Sequence, residues 1–516
     1  MRTLHELLVN SARQFPDNIA VVDPVRNNEV SYRQLDAISD EIAEMLGSAG
    51  IVKGDRVGIY APKSVASVAA LFGIMKAGGG YVPVDYTAPP ARNAFIFNDC
   101  TVQAIVVSRD LLDGLLGEYE GGLGNVTDIG HIDSLGIDAV LVETKFERDN
   151  RSAEIIADDQ ELSYILYTSG STGKPKGVIH THSSSLAFVD WCSEEFKPTP
   201  DDKVSSHASF HFDLSILDIY VPIMHAGTLV LIGEDLGKQP IGLAQVIAET
   251  GITMWYSTPS ILRLLVEFGK LDNYDFSKIR IVNFAGEVFP IKHLRAVKEA
   301  WPHPRYFNLY GPTETNVCTY YEIPDAIPED QRDPFPIGFP CSGDRTKAMD
   351  FDDNEVTRGK EGELYVTGGS VLQGYWNLPD RTETAFYVDE DGARWYKTGD
   401  VVIEREDGAY IFVGRRDRMV KRRGYRVELG EIEAALYRHE NVAEAAIVAI
   451  PDEANGVRIT AFVSTNDGER IGLIAMKQFC SKNLPLYMIP DKFDYQPELP
   501  KTSTDKIDYQ KLKLSA

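Results

Sequence analysis

Cysteine is sparse in this chain and never grouped. Five cysteines, at positions 100, 192, 318, 341 and 480, are scattered over 516 residues. They form no CxxC pair and have no histidine at close spacing, which excludes a zinc ribbon and a disulfide-stapled framework. Scattered single thiols suit a reducing compartment. Long apolar runs are missing too. The best, Val65 to Met75, stops at Lys76, short of the roughly 18 apolar residues a helix needs to span a bilayer. His5 and Glu6 come almost at once, with no apolar signal core behind them. Cationic side chains are scarce: 52 Lys and Arg stand against 77 Asp and Glu, a formal charge of −25. Such a surface repels nucleic acid and anionic membrane at long range. A cytoplasmic protein with no nucleic-acid and no membrane partner is expected. A small anion is still allowed, because a nucleotide site depends on local groups.

What is present is a globular composition, 43% hydrophobic and 10% aromatic. At roughly 150 residues per domain the length allows about three domain equivalents, one large core and a satellite. Leu4, Leu7, Leu8, Ala12 and Phe15 recur at helical spacing and predict an opening amphipathic helix. From about Lys203, strands and helices alternate through short turns. Strands are expected at Val204 to Ser209, Thr228 to Ile232, Ile252 to Tyr256, Ile279 to Phe284 and Tyr306 to Leu309. This alternation predicts βαβ units and parallel α/β sheets, with ligands beyond the carboxyl ends of the strands. After Gly362 the chain turns to short, turn-punctuated strands that predict a small β-barrel-like part. A basic cluster, Gly414 to Gly424, precedes a small α+β unit. A domain boundary is expected near Asp417, giving 1–416 as the core and 417–516 as a mobile C-terminal domain.

Ile165-Leu166-Tyr167 reads as the end of a buried strand. It runs into Thr168-Ser169-Gly170-Ser171-Thr172-Gly173-Lys174-Pro175-Lys176-Gly177. Glycines and small hydroxyl residues let backbone N–H groups face an anion, and two lysines add charge. Lys174 is followed by proline and no glycine stands at 168, so this is not a Walker loop. A flexible linker would rarely sit directly behind a strand with two lysines between glycines. The segment is read as a phosphate binder of another kind.

Tyr167 to Val178 resembles the signature loop of the adenylate-forming superfamily. Further matches follow in the family's order. Asn308-Leu309-Tyr310-Gly311-Pro312-Thr313-Glu314-Thr315 resembles its adenine and magnesium segment, and Tyr396 to Asp400 its ribose segment. Gly414 to Glu433 resembles the hinge with its glycine turn, and Leu499 to Asp508 the C-terminal lysine loop. The resemblance implies that a carboxylate attacks the α-phosphate of ATP to give an acyl-adenylate and pyrophosphate. Charge accumulating at phosphorus then calls for cations. Thr168, Ser169 and Lys176 are expected to hold the leaving phosphates, and Tyr310 to stack on adenine beside Asn308. Thr313 is expected to touch phosphate, and Glu314 to hold magnesium through oxygen. Asp400 is expected to accept from the ribose hydroxyls, with Arg415 reaching sugar or phosphate. Ala285, Gly286, Glu287, Gly311 and Phe412 complete the implied nucleotide site. Lys506 is the implied mobile catalytic cation, with Thr168 and Glu314 beside it in catalysis, although Asp505 stands where a glycine commonly precedes the lysine. Asp417 is the implied hinge, after whose rotation the Arg422-Arg423-Gly424-Tyr425 turn enters the site and helps form a tunnel for a thiol.

The acid to be activated is read from Asp213. In peptide-synthetase relatives the aspartate here pairs with the substrate's α-ammonium, and a buried aspartate without a cation is costly. The rival reading is a helix N-cap. Leu214, Leu217, Tyr256, Asn283, Ala285, Leu309, Val317 and Cys318, with Lys506, match the rest of the family's pocket. The wall is apolar apart from Asn283 and the tyrosine hydroxyl. A small aliphatic or cyclic amino acid fits, and the set resembles freestanding L-prolyl-AMP ligases, in which Asn283's position tends to be apolar. Another small or hydroxylated amino acid, or a small carboxylic acid taken to a CoA thioester, remains the alternative. No carrier segment is visible after Lys506, so the thiol is expected on a separate phosphopantetheinylated carrier protein.

Overall fold

The computed structural model describes residues 2–118, 123–128, 139–144, 161–168, 174–415, 419–452, 456–501 and 507–516. Helix Leu4–Gln14 opens the chain behind a capping box of Thr3 and Glu6, with Leu4, Leu7, Leu8 and Ala12 inward. Phe15 does not share that face. The backbone leaves the helix there (φ −133°, ψ 56°), and the ring is 39% exposed. The apolar run becomes helix Val65–Lys76, buried from Val65 through Met75. A helix apolar all round belongs in a core. It packs on helix Tyr32–Ser48 so closely that a Cβ on Gly73 would meet Ile42 at 2.7 Å.

Two large sheets flank these helices and share one apolar cluster with them. In the first, strands Arg305–Tyr310, Ile281–Ala285, Met254–Ser257, Lys203–Ser206, Thr228–Leu231 and Ile19–Asp23 run parallel in that order. In the second, Leu162–Thr168, Gly80–Pro83, Arg56–Tyr60 and Ala104–Ser108 run parallel. The expected parallel pattern therefore holds at the centres and gives way at the edges. Asn28–Ser31, Thr319–Ile323, Lys176–Thr181 and Ala139–Thr144 pair antiparallel with their neighbours. For the first three the physical reason is loop length: a short connection can close an antiparallel pair, whereas a parallel crossover needs a dozen or more residues. Both sheets are mixed.

The part expected to be barrel-like is an antiparallel sheet of Arg345–Met349, Glu361–Thr367, Phe386–Val388, Arg394–Glu404 and Tyr410–Arg415. Beyond it, hairpin Met419–Arg422/Tyr425–Glu428 leads to a small α+β unit. That unit has helices Leu429–Leu436 and Leu473–Asn483 against strands Val442–Asp452, Gly456–Thr465 and Lys492–Tyr495. Ile432, Ile447, Ala461, Met476 and Met488 form its own core. The carboxyl ends of Met254–Ser257, Ile281–Ala285, Arg305–Tyr310 and Leu162–Thr168 meet at one cavity, and the small unit lies over it.

Candidate active site

Asp213 occupies the N-cap position of helix Leu214–Met224, yet its backbone is helical (φ −61°, ψ −28°) and its side chain makes no cap bond. A capping residue takes the extended region, so the capping alternative is excluded. Its side chain lines the cavity with Leu214, Tyr256, Ala285 and Val317. Burial pushes the carboxyl above the usual aspartate range, opposed by the Thr313 hydroxyl and the Lys421 ammonium. Leu217, Asn283, Leu309 and Cys318 do not touch the cavity; they are buried in the layer behind its lining. Register explains this arrangement. Asn283 and Ala285 share one face of their strand, with Tyr256 opposite Asn283 and Leu309 opposite Ala285.

On the nucleotide side, strand Leu162–Thr168 returns as Lys176–Thr181, so the expected phosphate loop joins two antiparallel strands and not a strand and a helix. Thr168 lines the cavity and its hydroxyl is buried without a protein partner. The Asn316 side-chain nitrogen, at the same cavity, is in the same position. Such orphaned donors point to a ligand, because buried polar groups are normally paired. Ser169 lies outside the described residues. Tyr310 donates its hydroxyl to Asp400, and Arg415 donates to the other oxygen of the same carboxylate. Asp400 is fully buried, and Phe412 lies 6.4 Å from the Tyr310 ring. Asn308 donates its amide to the Pro336 carbonyl at 2.8 Å. Gly286, Gly311 and Thr313 line the cavity; Glu287 accepts from the Ser260 amide at 3.1 Å.

Glu314 has 0% exposure. Lys176 donates to it at 2.9 Å, the Tyr375 hydroxyl at 2.8 Å, and Arg426 reaches both oxygens at 3.2 and 3.0 Å. Arg426 and Lys176 hold its carboxyl well below the usual range despite burial. Burial pushes the Lys176 ammonium down to about 8. In this arrangement Glu314 does not fit a metal. Its oxygens are already matched by two cations and a hydroxyl, and no cluster of three His, Cys, Asp or Glu is present among the described residues.

The hairpin supplies residues that the sequence reading missed. Arg423 (φ 52°) and Gly424 (φ 80°) form its two-residue turn, with positive φ at both centres as a type I′ turn requires. Lys421 and Arg426 are directly opposite and, with Met419 and Gly424, line the cavity. Lys421 lies 5.2 Å above the Tyr310 ring. The Gly424 amide donates to Glu287 at 2.9 Å, and Tyr425 meets Phe212 edge-on at 4.7 Å. The expected turn therefore does enter the site. A signal was available in Tyr425 to Glu428, where apolar and polar residues alternate behind Arg-Gly: Val427, with Val420 opposite it, packs on the small core while Arg426 and Lys421 face the cavity. Arg92 to Glu431 adds a second, buried ion pair between the two parts. Asp417 and Lys506 lie outside the described residues. The residues flanking Lys506 are held by the small unit: Lys501 pairs with Glu444 and bridges to Ile507, and Leu499 packs on Phe462.

Orphaned donors at Thr168 and Asn316 and a cavity at strand ends beneath a small C-terminal unit mark a ligand site, and the family that shares this architecture is an adenylate-type ligase family. The chain belongs to the AMP-binding enzymes: residues 8–376 match that family and 431–506 its C-terminal domain. It is 36% identical over 513 residues to the L-proline--[L-prolyl-carrier protein] ligase of Pseudomonas fluorescens, covering 98% of each chain. It is also 36% identical to the ligase of the same name from Streptomyces coelicolor, covering 95% of this chain and 93% of that one. The crystal structure of IdnL1 superposes with a TM-score of 0.79 at 27% identity, covering 96% of this chain and 99% of that one. Among the described residues no helix is long and apolar enough to cross a membrane.

Proposed function

We propose that this chain activates an amino acid, L-proline, with ATP and passes the prolyl group to the phosphopantetheine thiol of a separate carrier protein in the cytoplasm. The observation that carries this reading is Asp213: a non-capping carboxylate lining a cavity whose other substrate-facing walls are Leu214, Tyr256, Ala285 and Val317. A secondary ammonium offers two N–H donors to such a carboxylate, and a cyclic aliphatic ring needs only apolar lining. The names of the two relatives above point the same way.

In the first step a substrate carboxylate oxygen bonds to the α-phosphorus and the bond to the β-phosphate breaks, releasing pyrophosphate. In the second, the carrier thiolate attacks the acyl carbonyl and AMP leaves. Asp213 holds the ammonium, Asp400 with Tyr310 and Arg415 frames the nucleoside, and Thr168 offers its unpartnered hydroxyl to the phosphates, a role the family resemblance extends to Ser169 and Lys176. Lys506 brings the mobile cation, with rotation about Asp417 exchanging it for the hairpin. A magnesium contact at Glu314 belongs to an arrangement in which Arg426 has withdrawn, and no step is built on it. Pyrophosphate exchange across all proteinogenic amino acids tests the reading. Proline is expected to drive exchange; exchange with none would refute amino-acid activation, and exchange only with others would refute proline.

A further inference from the structure

His211 stands in the loop between strand Lys203–Ser206 and helix Leu214–Met224, two residues before Asp213, and the activation step gives it no task. Its ring lines the cavity, and its Nε2 is buried without a protein partner. The Phe212 ring lies 4.9 Å from it and meets Tyr425 edge-on, and Tyr425 stacks on Tyr487 at 4.0 Å. Both tyrosines come from the C-terminal part, so His211 lies at the seam where the hairpin turn enters the cavity. Electrostatics places it at the same point. Asp85 and Glu234 act on both His211 and Tyr425, while Asp85 and Arg92 act on both His211 and Tyr487. Transfer to a thiol needs a group that takes the S–H proton, because a free thiol ionises near about 8.5 and is mostly protonated at neutral pH. Lys421 and Arg426 are cations, Asp213 holds the ammonium, and burial raises the Tyr425 and Tyr487 phenols so that they keep their protons. Burial pushes the His211 imidazole below the ordinary 6.5 of histidine, helped by Lys63 and Arg92 and opposed by Asp85 and Glu234. The ring is therefore neutral at pH 7 and able to accept a proton, and the two carboxylates favour the imidazolium once it forms.

We propose that His211 is the general base of thioester formation. With the ring protonated at Nδ1, Nε2 offers its lone pair to the S–H. As sulfur bonds to the acyl carbonyl carbon, the S–H bond breaks toward Nε2. The bond from the acyl carbon to the phosphate oxygen then breaks, and AMP leaves with the electron pair. The imidazolium returns its proton to water. This inference rests on the thiol-transfer half of the proposed function, and it holds whichever amino acid is activated.

The test uses the full chain carrying its aminoacyl-adenylate, formed from the amino acid that drives pyrophosphate exchange, with pantetheine as the thiol probe. Thioester formation is followed in single turnovers across pH for wild type and His211→Gln, and each rate is divided by the same protein's exchange rate. At pH 7 this ratio is expected to fall by about 100-fold or more in the variant, the lower end of what a general base contributes. Wild-type transfer is expected to lose rate as pH falls through a value below 6.5. His211→Gln is expected to lose that limb and to follow thiol ionisation, rising toward about 8.5. A ratio near the wild-type value, or an acid limb that persists in His211→Gln, overturns the proposal and leaves amino-acid activation standing. Wild-type transfer no faster than that of free adenylate overturns it too. If no amino acid drives exchange, the activation reading fails and the proposal falls with it. Should the variant fold poorly, the wild-type profile decides: transfer that merely follows thiol ionisation overturns the proposal.

Discussion

Removing Arg426 separates the two half-reactions. In the docked arrangement Glu314 is fully buried and takes bonds from Lys176, Tyr375 and one guanidinium nitrogen of Arg426, which reaches both carboxylate oxygens. Breaking one partner from a buried pair costs about 3–5 kcal/mol. Lys176 stays behind in Arg426→Ala and partly neutralises Glu314, which favours the low end, about 3 kcal/mol. A smaller term acts the other way. Arg426 lies opposite Lys421 in the hairpin, and like charges facing each other across strands repel by about 0.2–1 kcal/mol. The first effect wins. Docking of the small unit should weaken by about 2 kcal/mol, roughly 30-fold in any step that needs it. Loading of a holo carrier protein measures that step, and pyrophosphate exchange measures the other. Arg426→Ala should lower the loading rate by this factor and exchange far less. Equal losses in both assays would refute the assignment of the docked hairpin to thioester formation.

Gly424→Ala probes the same docking by shape. A Cβ there would meet the Thr258 Cγ2 at 2.2 Å, and φ is +80°. Carrier loading should fall at least about 10-fold, since such strain costs of order 1–3 kcal/mol. Adding Thr258→Ser, which removes the clashing methyl but not the backbone strain, should restore part of the loss; no rescue would count against the clash. Asp213→Asn should cut amino-acid-dependent exchange by about 10- to 100-fold, the worth of a hydrogen bond to a charged group. Because the folded-state pKa of Asp213 is raised, the folded chain binds its proton more tightly than the unfolded chain. Stability is lost as pH rises through that window, and the cost persists at neutral pH. Asp213→Asn should therefore raise the melting temperature at pH 7 while removing function, and a lowered one would contradict the burial argument. Lys176, with its pKa depressed to about 8, should impose an alkaline fall in exchange above about that pH. The unfolded chain keeps the proton up to the ordinary lysine range, so this group's contribution to stability rises over the same interval. Lys176→Arg should move the activity limb to higher pH.

The sheets were legible because local signals agreed. Apolar runs punctuated by Gly and Pro set the strands from Lys203 onward to within two or three residues, and the motifs fell at their carboxyl ends as a parallel arrangement demands. Asp213 was legible as a residue but not as a choice between cap and ligand. That choice turned on a backbone angle, helical where a cap would be extended. The edges were misread because alternation says nothing about which strand pairs next. Glu314 shows the deeper limit. Its partners Tyr375, Arg426 and Lys176 lie 61, 112 and 138 residues away. No window along the chain could reveal that a residue resembling a metal ligand is held by an arginine from the small unit. The hairpin makes the same point from the other side. Lys421 opposite Arg426 is unfavourable within the hairpin itself, so the pair makes physical sense only over carboxylates. Glu314 lies beneath Arg426, while Asp400 and Asp213 hold up the Lys421 ammonium against its burial. The hairpin whose turn was expected to enter the site supplies, in the folded chain, the positive half of it.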